Sequence, residues 1–139
     1  MHKRTMQVEV LVFKIVGDKT LFLMLKRNKE KGGFWQPITG GVEEGESLTQ
    51  AVNRELWEET GISEYLRVIN DVYYFEFDTT EYGKLKEYVF GIEVAPDINA
   101  KLSPEHTEMK WCTLEESIAL LKYDDNKTGF KKLISLLSA

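Results

Sequence analysis

One stretch, Gly40–Ile62, constrains this chain more than any other. It reads GGVEEGESLTQAVNRELWEETGI. Ser47 precedes Leu48, and Gln50 lies three residues further on, the pattern of a capping box at a helix start. Gly61 follows Thr60 and suits the left-handed residue that ends a helix. The spacing therefore predicts a helix over 48–60. With Glu55 placed at 0°, Leu48 falls at about 20°, Ala51 at about −40°, Val52 at about 60° and Leu56 at about 100°. Glu58 falls at about −60° and Glu59 at about 40°. Three carboxylates thus share the apolar stripe, the face that turns to a core. Gln50, Asn53, Trp57 and Thr60 take the opposite side.

A run of glutamates is usually a solvated charged face, but this placement speaks against that reading. Ionised carboxylates on a core-facing stripe repel one another, and burying one costs several kcal/mol. Either protons are retained or divalent cations sit among the groups. Ligands that are all oxygen select a hard cation, Mg²⁺ first, with Mn²⁺ and Ca²⁺ as rivals. Mg²⁺ keeps waters and commonly shares its shell with substrate phosphates, so the pattern points to phosphate chemistry. Gly40 and Gly41 permit close backbone approach, and a carbonyl there is a candidate further ligand. Glu46 and Arg54 are about two turns apart and are expected to brace the loop against the helix.

The rest of the chain reads as scaffold. Strands are expected at 6–16, 21–25, 66–77, 85–95 and 108–112, with 34–39 extended and Gly91 marking a bulge. Thr113 and Glu116 form a second capping box, which starts a helix over about 114–122. Residues 123–128 read as a polar loop. Phe130, Leu133, Ile134 and Leu137 recur at helical spacing in a helix over 130–137. Strands interrupted by one helix, with helices at the end, predict an α+β domain with a mixed sheet. The length of 139 residues fits one domain, 1–139. A net charge of −5 argues against broad nucleic-acid binding, which needs a basic face. The single cysteine, Cys112, cannot form an internal disulfide and reads as a small buried side chain, so a reducing, cytoplasmic setting is expected. No run approaches the ~20 apolar residues that span a bilayer, and no signal peptide is read at the start. His2-Lys3-Arg4 reads as a mobile terminus.

The central stretch resembles the Nudix hydrolases, whose motif is G-x5-E-x7-R-E-U-x-E-E-x-G-U with U aliphatic. Here Gly40, Glu46, Arg54, Glu55, Leu56, Glu58, Glu59, Gly61 and Ile62 fill it without departure. A chance match in such a chain is about one in ten million. The resemblance implies an α/β/α sandwich with a mixed sheet and the motif helix beneath it. It implies Mg²⁺-dependent attack of water on a nucleoside diphosphate linked to another group. By motif position Glu55, Glu58 and Glu59 would ligate metal, one of them taking the water's proton. Arg54 would orient a glutamate, and the Gly40 carbonyl would touch the metal.

Two flanks resemble a bacterial subgroup that cleaves dihydroneopterin triphosphate and nucleoside triphosphates such as dATP. They are Phe34–Glu46, FWQPITGGVEEGE, and Glu105-His106 with Lys110-Trp111. Met109 departs from the tyrosine often found there, and Pro37 and Gly41 also vary. The subgroup implies that Glu105 joins the metal site or acts as base, with Glu108 a weaker substitute. Lys26, Arg27, Trp35, Gln36 and His106 are the substrate-binding candidates. Lys26 and Arg27 would hold phosphates, and Trp35 would stack on a pterin or purine ring. Four of these have a plainer alternative: a solvated strand end for Lys26 and Arg27, core packing for Trp35, and a structural hydrogen bond for His106. Trp111 reads as core. Trp57 is expected to pack against another element or a second subunit, which makes a homodimer an expectation. The expected activity is hydrolysis of a nucleoside or pterin triphosphate to the monophosphate and pyrophosphate. Other nucleoside diphosphate derivatives, dinucleoside polyphosphates included, stay open as substrates. A nucleotide-sensing domain without activity usually shows a degraded motif, and this one is complete.

Overall fold

The computed structural model describes residues 5–138; His2-Lys3-Arg4 lies outside them. Its centre is β1 (Met6–Val16), a strand with apolar side chains on both faces. β1 pairs antiparallel with β2 (Lys19–Arg27) and β4 (Ile38–Gly41), and parallel with β6 (Gly83–Glu93). β3 (Trp35–Gln36) and β7 (His106–Cys112) both add to β2. β5 (Arg67–Thr79) pairs antiparallel with β6. The result is the expected mixed sheet, with seven strands among the described residues.

Alternation along β1 builds two cores. Val8, Val10 and Val12 face α1 (Leu48–Thr60) and meet its Ala51, Val52 and Leu56. Leu11 and Phe13 face the other way, toward Phe130 and Leu133 of α3 (Asp124–Leu137). A shorter α2 (Leu114–Leu120), started by the Thr113–Glu116 capping box, lies on that second side. Helix, sheet and helix thus stack as an α/β/α sandwich. Each fully buried Leu, Val or Phe contributes about 1.5–3 kcal/mol, so both faces of β1 are major sources of stability. Cys112 and half-buried Trp111 pack into these cores as expected. Among the described residues no helix is long and apolar enough to cross a membrane.

Four expectations need correction. α3 begins at Asp124, so the expected loop at 123–128 is largely helix. Asp124 and Asp125 suit the positive end of the helix dipole. Gly129 is buried against the sheet, where a Cβ would make ordinary contact, 3.5 Å from Glu9 Oε2 and 3.6 Å from Val89. The irregularity near Gly91 lies in the opposite strand. Ile69 pairs with Gly91 and Tyr73 with Val89, leaving extra β5 residues that include Asp71 at φ 54°. Gly91 instead makes room for Leu133, whose Cδ1 would be 2.8 Å from a Cβ at that position. Trp57 is 59% exposed, so among the described residues it packs against no other element, and only the second-subunit alternative stays open. Thr60, expected on the outer side of α1, is fully buried; its hydroxyl donates to Leu56 O at 2.6 Å.

Candidate active site

α1 is fixed at both ends by local sequence. Gln50 N–H donates to Ser47 Oγ at 3.1 Å, and Ser47 N–H donates to Gln50 Oε1 at 2.8 Å. Gly61 adopts φ 72°, and its N–H donates to Trp57 O at 2.8 Å. Before the helix, Glu43–Glu46 forms a turn with Gly45 at φ 80°, closed by Glu46 N–H to Glu43 O at 3.0 Å.

Arg54 ties this loop to the helix. Its Nε donates to Glu46 Oε2 at 2.8 Å and its Nη2 to Glu46 Oε1 at 3.0 Å, a two-pronged pair. Nη2 also donates to Gly41 O at 2.7 Å, while Nη1 donates to Glu55 Oε1 at 2.8 Å and approaches Glu58 Oε1 at 3.4 Å. The guanidinium bonds hold the Glu46 carboxyl below its ordinary range. The same pairing, with Glu46 first, raises Arg54 above its already high value.

Glu55 and Glu59 are buried, and Glu58 is exposed at the helix edge. Burial pushes the Glu55 carboxyl up to about 7; Arg54 pulls it down, and Glu58 and Glu59 add repulsion. The carboxyl fills the space that Gly40 leaves open. A Cβ at residue 40 would stand 2.0 Å from Glu55 Cδ. Glycine at residue 40 thus leaves the space that the Glu55 carboxyl occupies. Glu59 Oε2 lies 2.9 Å from His106 Nδ1 and accepts from Ser103 Oγ at 3.3 Å. His106 Nε2 is buried without a hydrogen-bond partner.

These oxygen groups suit a hard divalent cation, and the desolvated Glu55 carboxyl beside Gly40 is the observation that favours one. As they stand, no three carboxylate, imidazole or thiol groups among the described residues converge on one point. The reason is visible: Arg54 lies between Glu55 and Glu58, and Glu59 is turned to His106.

The other expected residues divide between two places. Arg27 and Gln36 line a cavity of about 580 Å³, which also meets Thr39, the residue before Gly40. Arg27 Nε is buried there with no partner. Lys26 instead pairs with Glu108 at 3.4 Å on the surface. Trp35 packs against the α3-side core, with Lys110 Nζ 4.6 Å from its ring centre, and does not line the cavity. His106 is buried against Glu59, so it is placed to orient a carboxylate rather than to meet a substrate directly. Glu105 is exposed next to it, and its carbonyl accepts from Asn28 N–H at 3.2 Å. Gln7, Glu87 and Asp125 also line the cavity and were not singled out from sequence. The available signal was a glutamate, Glu9, inside the otherwise apolar run VEVLVF.

Comparison with known proteins follows the same lines. The chain is 32% identical over 126 residues to a Myxococcus xanthus protein named octanoyltransferase, covering 90% of this chain and 35% of that protein. It therefore spans about a third of that relative's length. It is 30% identical over 132 residues to the Caenorhabditis elegans asymmetrical bis(5'-nucleosyl)-tetraphosphatase, covering 93% and 94% of the two chains. The solved structure of the Escherichia coli dihydroneopterin triphosphate pyrophosphohydrolase superposes with a TM-score of 0.83 at 26% identity, covering 100% and 99%. The NUDIX domain profile matches residues 5–134, and the chain belongs to the Nudix family of hydrolases.

Proposed function

We propose that this chain is a Mg²⁺-dependent pyrophosphohydrolase that converts a nucleoside or pterin triphosphate to the monophosphate and pyrophosphate. The observation that carries this reading is the junction at Thr39-Gly40. Thr39 lines the cavity, and the next residue cradles the buried Glu55 carboxyl. Neighbouring residues of a strand face opposite sides of the sheet, so on this reading the ring sits in the cavity and the phosphates pass the β4 edge to reach α1. Nudix hydrolases generally need a divalent metal, typically Mg²⁺. Glu55, Glu58 and Glu59 would hold it here with the Gly40 carbonyl and Glu105; Mn²⁺ is a chemically suitable substitute. When bound, such an ion polarises phosphoryl oxygens, neutralises the leaving pyrophosphate and lowers the pKa of water.

The protein's own groups supply positioning and proton transfer. Arg54 holds the loop and helix in register through its bonds to Glu46 and to Gly41 O. His106 and Ser103 fix the rotamer of Glu59. One carboxylate of the set takes the proton of the attacking water, provided it lies within hydrogen-bond reach of it. Arg27 and Gln36, at the cavity wall, bind the phosphate chain and the ring-bearing end of the substrate.

The names of two relatives support a phosphoanhydride substrate of this size, one a pterin triphosphate and the other a dinucleoside tetraphosphate. The second reading, a dinucleoside polyphosphate, rests on the 30% identity to the C. elegans protein. Ranking kcat/KM over dihydroneopterin triphosphate, dATP, other nucleotides and dinucleoside polyphosphates separates the two. Glu55→Gln and Glu58→Gln are each expected to lower turnover with every substrate. Unchanged turnover in both variants would refute the catalytic assignment.

A further inference from the structure

The sheet holds a buried acid pair that this chemistry does not use. Glu9 lies in the middle of β1 on the α3 face, fully excluded from solvent. Glu87, 3% exposed, comes from the neighbouring parallel strand β6. The register sets Gln7 opposite Glu87 and Glu9 opposite Val89, so the two glutamates are diagonal neighbours on one face. Gln7 Nε2 donates to Glu87 Oε1 at 2.7 Å, and Asn126 Nδ2 donates to Glu9 Oε1 at 2.5 Å. Glu9 Oε2 receives no hydrogen bond from any donor.

Two desolvated carboxylates side by side do not both ionise. Burial first, then the charge of Glu87, push the Glu9 carboxyl well above its ordinary range. Burial raises Glu87 as well, while its bond from Glu9 lowers it. The shared proton therefore belongs on Glu9, with Glu87 as its acceptor. Asn126 accommodates this arrangement by donating to the other oxygen of Glu9.

Glu87, unlike Glu9, reaches the cavity. Beside it is Asp125, whose Oδ1 accepts the Tyr73 hydroxyl at 2.9 Å. The lining also holds the apolar side chains of Phe34, Phe75, Phe77 and Leu85, and two further carboxylates, Asp78 and Glu81. A cavity of about 580 Å³ lies within the usual range for small-molecule sites. Aromatic side chains in the lining favour a planar ring, and carboxylates in the lining, Glu87 and Asp125 among them, favour a ring edge that donates. A carboxylate accepts two hydrogen bonds from a ring N–H and an adjacent exocyclic amino group. The 2-amino-4-oxo ring common to guanine and pterin presents that edge. Adenine places its amino group beside a ring nitrogen that is itself an acceptor, so one of the two bonds becomes a repulsion. Gln7 and Asn126, the amides next to the pair, direct N–H groups at the glutamates.

We infer that this cavity is the ring site and that Glu87, with Asp125, selects a 2-amino-4-oxo heterocycle over an adenine-type ring. The inference rests on the triphosphate hydrolysis proposed above and adds which ring is preferred and which residues read it. A well-formed two-bond contact to a base discriminates by roughly ten- to a hundredfold.

The test compares kcat/KM for GTP, dihydroneopterin triphosphate and ATP in the wild type and in Glu87→Gln. Calorimetry with free guanosine, neopterin and adenosine, without added metal, reports ring binding apart from hydrolysis. In the wild type GTP and the pterin are expected to exceed ATP by about ten- to a hundredfold, carried by KM. The larger of the first two rates tells which source of the shared ring is used. Glu87→Gln replaces an acceptor oxygen with an amide donor, so the ratio is expected to fall toward or below one as ATP gains. A gain for ATP cannot come from a misfolded variant. Asp125→Asn, at a half-buried lining residue, is a second variant expected to shift the ratio in the same direction. Equal kcat/KM for all three rings in an active wild type would overturn the inference and leave the hydrolytic reading standing. A preference for GTP that both variants retain would likewise overturn the role of the two carboxylates. Guanosine and neopterin binding tighter than adenosine, without turnover of any triphosphate, would sustain the ring site and refute the hydrolytic reading.

Discussion

Gly40→Ala gives a sharp test of how the fold positions its carboxylates. Gly40 has no positive φ, so alanine is compatible with the backbone. The difficulty is the side chain it faces: the new Cβ would stand 2.0 Å from Glu55 Cδ, 2.1 Å from Oε1 and 2.5 Å from Oε2. Ordinary contact is about 3.5 Å, so the carboxyl must retreat by about 1.5 Å. Glu55 is a flexible side chain and can do so without moving the helix. Retreat sacrifices its bond from Arg54, a charge-assisted contact of about 1.5–3 kcal/mol. It also releases a carboxyl that burial has pushed up to about 7. These terms oppose each other, and a net change under about 2 kcal/mol is expected, or under about 6 °C in Tm for a domain of this size. Catalysis has no such compensation. Misplacement by 1 Å costs on the order of 100-fold, so kcat/KM is expected to fall at least about 100-fold. Thermal melts paired with steady-state hydrolysis in Mg²⁺ read both quantities. Activity within about threefold of wild type, under ~0.7 kcal/mol of barrier, would refute the reasoning, because the Glu55 position would then not matter.

Other perturbations probe separate parts of the structure. Arg54→Lys keeps the charge but loses the two-pronged bond to Glu46 and the reach to Gly41 O, so urea melts are expected to show a loss of about 1–3 kcal/mol together with a large fall in turnover. Gly91→Ala places a Cβ against Leu133 and is expected to cost about 1–3 kcal/mol by overpacking; Gly91→Ala with Leu133→Ala should cost less than the sum of the single changes. Glu9 holds its proton more firmly in the folded chain than in the unfolded one, so its contribution is fully present below the unfolded carboxylate range near 4.5 and is lost as pH rises through the folded value. Wild-type Tm is therefore expected to decline with rising pH above about 5 more steeply than that of Glu9→Gln, and parallel curves would contradict the buried proton.

What the sequence disclosed was local. The Ser47–Gln50 box, the Gly61 cap and the Glu46–Arg54 brace join residues within about two helical turns, and each is present as read. The helical wheel placed Glu55 and Glu59 inward but misjudged Glu58 and Thr60. It assumes one buried face along the whole helix. Here the C-terminal end of α1 is covered by a later loop, with Lys101 N–H donating to Thr60 O at 2.8 Å, while Glu58 stays at the solvent edge beside Arg54. The cavity was not legible, because it depends on register. Gln7 and Glu87 are brought together only by the parallel pairing of β1 with β6. The start of α3 was hidden for a related reason. Asn126 and Gly129 meet Glu9 there, so that turn of the helix carries no apolar stripe to announce it.

The central claim is that water cleaves a triphosphate to leave pyrophosphate, and phosphorus NMR of products formed in oxygen-18 water tests it most directly. A monophosphate and pyrophosphate are expected in equal amounts, the label confined to one product, with turnover stopped by chelation and restored by Mg²⁺. Release of orthophosphate with a diphosphate, or product formation that persists in chelator, would contradict it.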